Sequence, residues 1–438
     1  MENNSNSIRP YESTDFLKLL FSGVDIIIIY LLFIFSYFLF MRMYAIQEDL
    51  LLHLSIVLDK IEKGNLFLPV SYNSFMQWAI YLFGFGRKDL MFLSFPFILA
   101  LSFAAKYIVM RFILLDYMLQ QNLDYKNDWI SRFGSLFACF AFPIYTFGQI
   151  STYWYRGATP PCVWHNPTVI FVMPFAMLLF WFTYKLIVNK TLFLGITVFI
   201  LFVLNMFSKP VFLMPVIPIF TAFILFIGVN TDGGFFCSIS KKKILYLAPF
   251  IIIATVMILY MYNRLFGKVG LSISLWETIK FHNNNYGFVS MVDFISKRFF
   301  HFNCVNYFFH NIIIIFAVMS RLFLNNAFFF VSLLLLKKKN LLLNIYAFLI
   351  WLFGIAIMFI VTEKEGAGHE NFMWHVITCN AILIIAGLIN VIYNHNCYDV
   401  CRSRIKGAIE LVAYSALGIQ MYCGILYIFR LILNGIWH

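Results

Sequence analysis

Glu48 and Asp49 stand side by side directly after the first long apolar run, with His53 four residues beyond Asp49. A carboxylate within hydrogen-bond reach of a hydroxyl can take its proton as the oxygen attacks an electrophile. An imidazole one helical turn away can orient that carboxylate or touch an anionic group. Acidic residues number 20 among 438, so two adjacent ones where a hydrophobic helix ends call for a reason beyond solubility.

Three further groups carry residue types suited to a charged, hydroxyl-rich ligand. Lys209 lies in Phe207-Ser208-Lys209-Pro210-Val211, between two apolar runs. Arg156 lies in Tyr153-Trp154-Tyr155-Arg156-Gly157, shortly before His165 in Trp164-His165-Asn166-Pro167. Cations and donors of this kind stabilise a departing phosphate. The segment from Glu363 to His375 is the densest polar cluster, with Glu365, His369 and Glu370 around Gly366 and Gly368. Its acids and histidines suit a sugar or a metal, and the two glycines permit tight backbone. His369-Glu370 with His375 lacks the spacing of a zinc protease helix. The acids permit a divalent ion, but nothing requires a metal or other cofactor.

These residues are positioned by membrane helices. The chain is 62% apolar, 20% aromatic and 12% charged, with a mean hydropathy of +0.83. A soluble domain carries about a quarter charged residues, so this is the composition of a polytopic membrane protein. The net charge of +12 does not form the basic, aromatic-interleaved stripe of a nucleic-acid binder. Spans need about 20 apolar residues, which predicts an all-α fold of about eleven transmembrane helices. They fall near 22–41, 90–113, 133–150, 167–188, 191–207, 211–228, 244–262, 312–336, 341–361, 375–393 and 409–432. The polar stretch Met1–Asp15 reads as a cytoplasmic tail rather than a cleaved signal peptide.

Lys241 to Lys243, Lys337 to Lys339, Arg402, Arg404 and Lys406 then share one side with Arg111, Lys126 and Arg132. Positive charge in short loops marks the cytoplasm. Segments 42–89, 151–166, 263–311 and 362–374 lie outside, and the turn at Lys209 reaches the same side. The chain reads as a single integral-membrane domain, 1–438, with the first external loop at 42–89 and a second long one at 263–311. Residues Glu48 to Lys63 predict an interfacial helix with Leu50, Leu51, Leu54, Leu58 and Ile61 on one face. Asp49, His53, Ile56, Lys60 and Lys63 form the other. Cys162 and Cys304 fall in external loops, which permits a disulfide; Cys397 and Cys401 read as ordinary thiols. Arg321 interrupts one apolar run and carries no assigned role.

The order of a first span, the acids Glu48-Asp49, His53, a short amphipathic helix through Lys63-Gly64, and Pro69-Val70-Ser71-Tyr72 resembles the GT-C glycosyltransferases. The basic turn at Lys209 and the Gly/Glu/His loop before a late helix are similar to the serotype-converting O-antigen glucosyltransferases of Gram-negative bacteria and their phages. That resemblance implies a multi-pass enzyme of the bacterial inner membrane with its active site facing the periplasm, and the positive loops set the N-terminus in the cytoplasm. It implies transfer of a sugar, glucose or another hexose, from a polyprenyl-phosphate donor to a lipid-linked or surface glycan such as O-antigen, with inversion. Asp49, or Glu48 beside it, occupies the position of the catalytic base, with His53 orienting it or contacting phosphate. Lys209, Arg156 and His165 are expected at the donor phosphate, and Glu365, His369 and Glu370 at the acceptor. The expected partners are this donor, the glycan acceptor and membrane lipid, with no nucleic acid. Rival readings are an O-antigen or capsule polymerase, which favours arginine-rich external loops, and a lipid-linked sugar flippase or transporter, which favours internal repeats. External arginines are sparse and no repeat is found.

Overall fold

The computed structural model describes residues 13–44, 48–64, 74–124, 128–141, 166–189, 191–226, 252, 271–273, 323, 326–363, 374–396 and 404–434. They are helical apart from one short strand pair. Helices α1 (Ser13–Leu20), α2 (Gly23–Tyr44), α3 (Glu48–Glu62), α4 (Ser74–Phe83), α5 (Lys88–Gln120), α6 (Trp129–Phe140), α7 (Pro167–Val188), α8 (Leu192–Ser208) and α9 (Leu213–Phe226) form the first part. After β1 (Leu271–Ile273) come α10 (Ala327–Ser332), α11 (Leu341–Ile360), β2 (Val361–Glu363), α12 (Trp374–Asn396) and α13 (Arg404–Asn434).

Six of the described helices are long and apolar enough to cross a membrane: α2, α5, α7, α11, α12 and α13. α12 is enclosed on all sides and α2 is peripheral. The expected span 133–150 corresponds to α6, which starts earlier and ends at Phe140, with Ala141 extended. A helix ending in an apolar bundle leaves carbonyls that need donors. The buried Lys106 ammonium on α5 supplies one to the Ala138 carbonyl at 3.4 Å. Within the expected span 312–336, α10 gives way after six residues to a 3-10 turn, Leu333–Leu335. Of the span at 244–262 only Ile252 is described. Segment 42–89 contains two helices, α3 and α4, rather than one.

β1 and β2 pair antiparallel, Leu271 opposite Glu363. This joins the backbone of the second long loop, 263–311, to the start of the Gly/Glu/His segment.

α3 stops because Gly64 takes a left-handed φ of +64°, closing the last turn at little cost. The seam that α3 buries is Leu50, Leu54 and Val57, with Ile61 half-buried. Leu51 and Leu52 face outward at 44% and 52% exposure, so the expected leucine face is rotated. In a membrane protein a leucine gains as much from lipid as from protein, whereas polar side chains find their partners in the protein. His53 and Lys60 accordingly flank the inward seam, half-buried. Lys60 Nζ donates to Gln77 Oε1 of α4 at 2.6 Å.

At the other end of α5, Arg111 and Arg132 meet Asp25 and Asp128. Arg111 is fully buried; its Nε donates to Asp25 Oδ1 at 3.2 Å, its Nη1 to Asp128 and to Ser131 Oγ. Arg132 Nη2 donates to Asp25 at 3.0 Å and Asp128 at 3.1 Å, and Tyr107 Oη to Asp25 at 2.6 Å. Two cations and two carboxylates thus balance where α2, α5 and α6 meet. Arg111 stands 23 residues along α5 from Lys88, which corresponds to ~35 Å, a bilayer's hydrocarbon thickness.

Candidate functional site

The end of the bundle opposite that network gathers the end of α2, the whole of α3, the start of α5, the start of α7 and the end of α8. α3 packs against α2, α4, α5 and α7, and an exposed pair, Lys88 Nζ with Glu62 Oε1 at 2.5 Å, ties its far end to α5.

The start of α7 is written as Asn166-Pro167. Asn166 is extended, and its Oδ1 accepts from the Val169 N–H at 3.1 Å, capping the helix, while proline takes the first helical position where no N–H is needed. Thr168 Oγ1 also donates to Asn166 Oδ1, at 2.7 Å. α8 ends at Ser208, and Lys209 follows in extended conformation because Pro210 cannot continue the helix and restricts the residue before it. The Lys209 side chain turns inward rather than snorkelling to water. It is 4% exposed, and its Nζ donates to Thr168 Oγ1 at 2.7 Å and to Asn166 Oδ1 at 3.3 Å. An ammonium is thereby fixed beside the N-terminus of α7, whose dipole presents a partial positive charge. Both favour an anion.

His53 senses this charge. Burial first and the Lys209 ammonium second push its pKa from 6.5 down to about 4. The imidazole is therefore neutral near pH 7 and offers hydrogen bonds rather than charge. Burial likewise lowers the pKa of Lys60. Between pH 6.5 and 4 the unfolded chain takes up a proton at His53 that the folded chain refuses, so folded stability falls as pH drops through that window. His53→Gln is expected to remove this contribution: its melting temperature in detergent should fall less between pH 7.5 and 5 than that of the wild type. Equal falls in both proteins would show that His53 keeps its ordinary pKa.

Glu48 and Asp49 open α3, so Asp49 precedes His53 by one helical turn; their side chains lie outside the described set. Arg156, His165, Glu365, His369 and Glu370 lie outside the described residues, as do Arg321, Cys162, Cys304, Cys397 and Cys401. His375, from the same polar segment, is fully buried at the start of α12, and its Nε2 donates to the Gly354 carbonyl of α11 at 2.6 Å. It is a helix-packing residue. Among the described residues no cluster of three or more His, Cys, Asp or Glu is placed to hold a metal.

Asn166 and Thr168 escape a reading of single residues, because their contact with Lys209 depends on the α7–α8 hairpin. The signal is the Asn-Pro pair, which marks a capped helix start. Comparison of the chain with known protein families, characterised proteins and solved structures finds no match.

Proposed function

We propose that this protein is a membrane glycosyltransferase of GT-C type, using a polyprenyl-phosphate sugar donor and a glycan acceptor at the outer face of the inner membrane. The observation that carries the reading is the convergence of α3 and Lys209. The helix that begins with Glu48-Asp49 packs against α7, and the buried ammonium held at the start of α7 is within electrostatic reach of its His53, lowering that pKa. Asp49 takes the proton of the acceptor hydroxyl as that oxygen attacks the anomeric carbon. The bond to the lipid phosphate breaks with its electron pair leaving on phosphate, and Lys209 and the α7 N-terminus stabilise that charge. Phosphate is a good leaving group, so no general acid of the glycosidase kind is required. Neutral His53 orients Asp49 or hydrogen-bonds the phosphate. Arg156 and His165 complete the donor side, with Glu365, His369 and Glu370 on the acceptor side.

Mass analysis of the surface glycan in strains with and without the gene tests this reading. The expected result is a repeat unit heavier by one hexose when the gene is present. An unchanged repeat mass with an altered ladder of chain lengths would favour the polymerase instead.

A further inference from the structure

α8 has an inward seam of Leu194, Val198, Leu201, Asn205 and Ser208, spaced four, three, four and three, while Phe193, Ile196 and Ile200 face outward. The last two seam residues are polar and fully buried. Asn205 Nδ2 is committed to the Leu201 carbonyl at 2.8 Å, which fixes the amide so that Oδ1 is the free group. Neither Asn205 Oδ1 nor Ser208 Oγ has a hydrogen-bond partner among the described residues. Unpaired acceptors and hydroxyls are disfavoured in a protein interior, and two occupy one face of a single turn here. The residue that follows them is Lys209.

Their chemistry selects what can lie against them. A carbonyl oxygen repels the oxygens of a phosphate dianion, which has no proton to donate. It accepts readily from a hydroxyl, and a serine hydroxyl both donates and accepts. An ammonium suits the opposite group, an anion.

We infer that Asn205 and Ser208 are specificity residues that read hydroxyl groups of the ligand whose phosphate is held at Lys209, so that the site prefers a glycosyl phosphate to a bare phosphate. This deepens the proposed function and rests on it. Asn205 accepts from one sugar hydroxyl, Ser208 pairs with a second oxygen, and Lys209 bridges to the phosphate. A site built to pair hydroxyls rejects a ligand lacking them, because the protein groups are then left unpaired.

The test measures binding to the full chain in lipid nanodiscs of bare undecaprenyl phosphate and of its glucosyl, galactosyl and N-acetylglucosaminyl derivatives. Wild type is expected to bind one glycosyl form at least about tenfold more tightly than the bare phosphate. Asn205→Leu, which keeps the branched shape of the side chain, and Ser208→Ala should each shrink that preference by several-fold, with bare-phosphate affinity changed less than about twofold. Lys209→Met should weaken all four ligands together. Size-exclusion profiles and melting temperatures check that each variant folds. Wild-type preference retained in both seam variants overturns the inference. Equal affinity of wild type for bare and glycosyl forms also overturns it, while leaving the phosphate site standing. Failure of wild type to bind any of the four would remove the proposed function itself.

Discussion

Asp49→Asn is expected to abolish sugar transfer while the protein still inserts, folds and binds its donor. The amide matches the carboxylate in size but cannot take up a proton at the pH of the reaction. Loss of a positioned general base costs about 10²–10⁴-fold in rate. Asp49 lies in the first turn of α3, where an asparagine is also tolerated, so the helix should survive the change. The two wanted measurements are the initial rate with purified protein and the melting temperature. A variant within about threefold of wild type would remove Asp49 as the base. In that case Glu48→Gln, expected otherwise to have the smaller effect, becomes the variant to examine.

Arg111→Leu is expected to have the largest effect on stability. The guanidinium is fully buried and spans Asp25 and Asp128, with Ser131 Oγ and the Leu19 carbonyl as further acceptors. Removing it leaves Asp25, itself fully buried, with Arg132 as its remaining cationic partner in the network. Breaking a buried pair from one side costs about 3–5 kcal/mol, a large part of the roughly 5–15 kcal/mol that holds a domain folded. Most of the variant should be lost from the monodisperse peak after detergent extraction, and the remainder should melt well below wild type. Arg111→Lys keeps the charge but loses the fork that reaches two carboxylates, so an intermediate loss is expected. A wild-type melting temperature for Arg111→Leu would show that the network adds nothing to stability.

The long apolar helices are plainly legible in the amino-acid sequence. α7 runs over the 22 residues from Pro167 to Val188, as its apolar run predicts. The break at Lys209 follows in the same way from Pro210. The rotation of α3 is harder to read, because leucines in a membrane protein do not say whether they face protein or lipid. The ion network is hidden for a related reason. Asp25, Arg111, Asp128 and Arg132 sit at the edges of apolar runs, where charges ordinarily mark topology. Only the packing of α2 against α5 brings Asp25 to Arg111, 86 residues away. Buried amides are equally silent. Asn344 and Asn390 exchange hydrogen bonds of 3.0 and 2.9 Å between α11 and α12, and Asn380 accepts from Trp351 at 2.8 Å. At helical spacing within an apolar run, a lone asparagine gives no hint of its partner.

The candidate site divides along the same line. Glu48, Asp49, His53 and Lys209 are conspicuous as residue types, since charge is scarce and each interrupts or follows an apolar stretch. Their mutual placement is conspicuous only in three dimensions. α3 packs against α7, whose Thr168 and Asn166 receive the Lys209 ammonium, and that charge lowers the pKa of His53. A snorkelling lysine and a buried one have the same sequence context; the difference lies in the two acceptors that α7 provides.

The most direct measurement is turnover of a defined donor. Purified protein in lipid vesicles is supplied with glucosyl undecaprenyl phosphate and a lipid-linked glycan acceptor, and release of free undecaprenyl phosphate is followed together with sugar on the acceptor. Wild type should form the two products in equal amounts, and Asp49→Asn should form neither. Release of neither product by a folded wild-type protein, with other hexosyl donors tried in turn, would contradict the account.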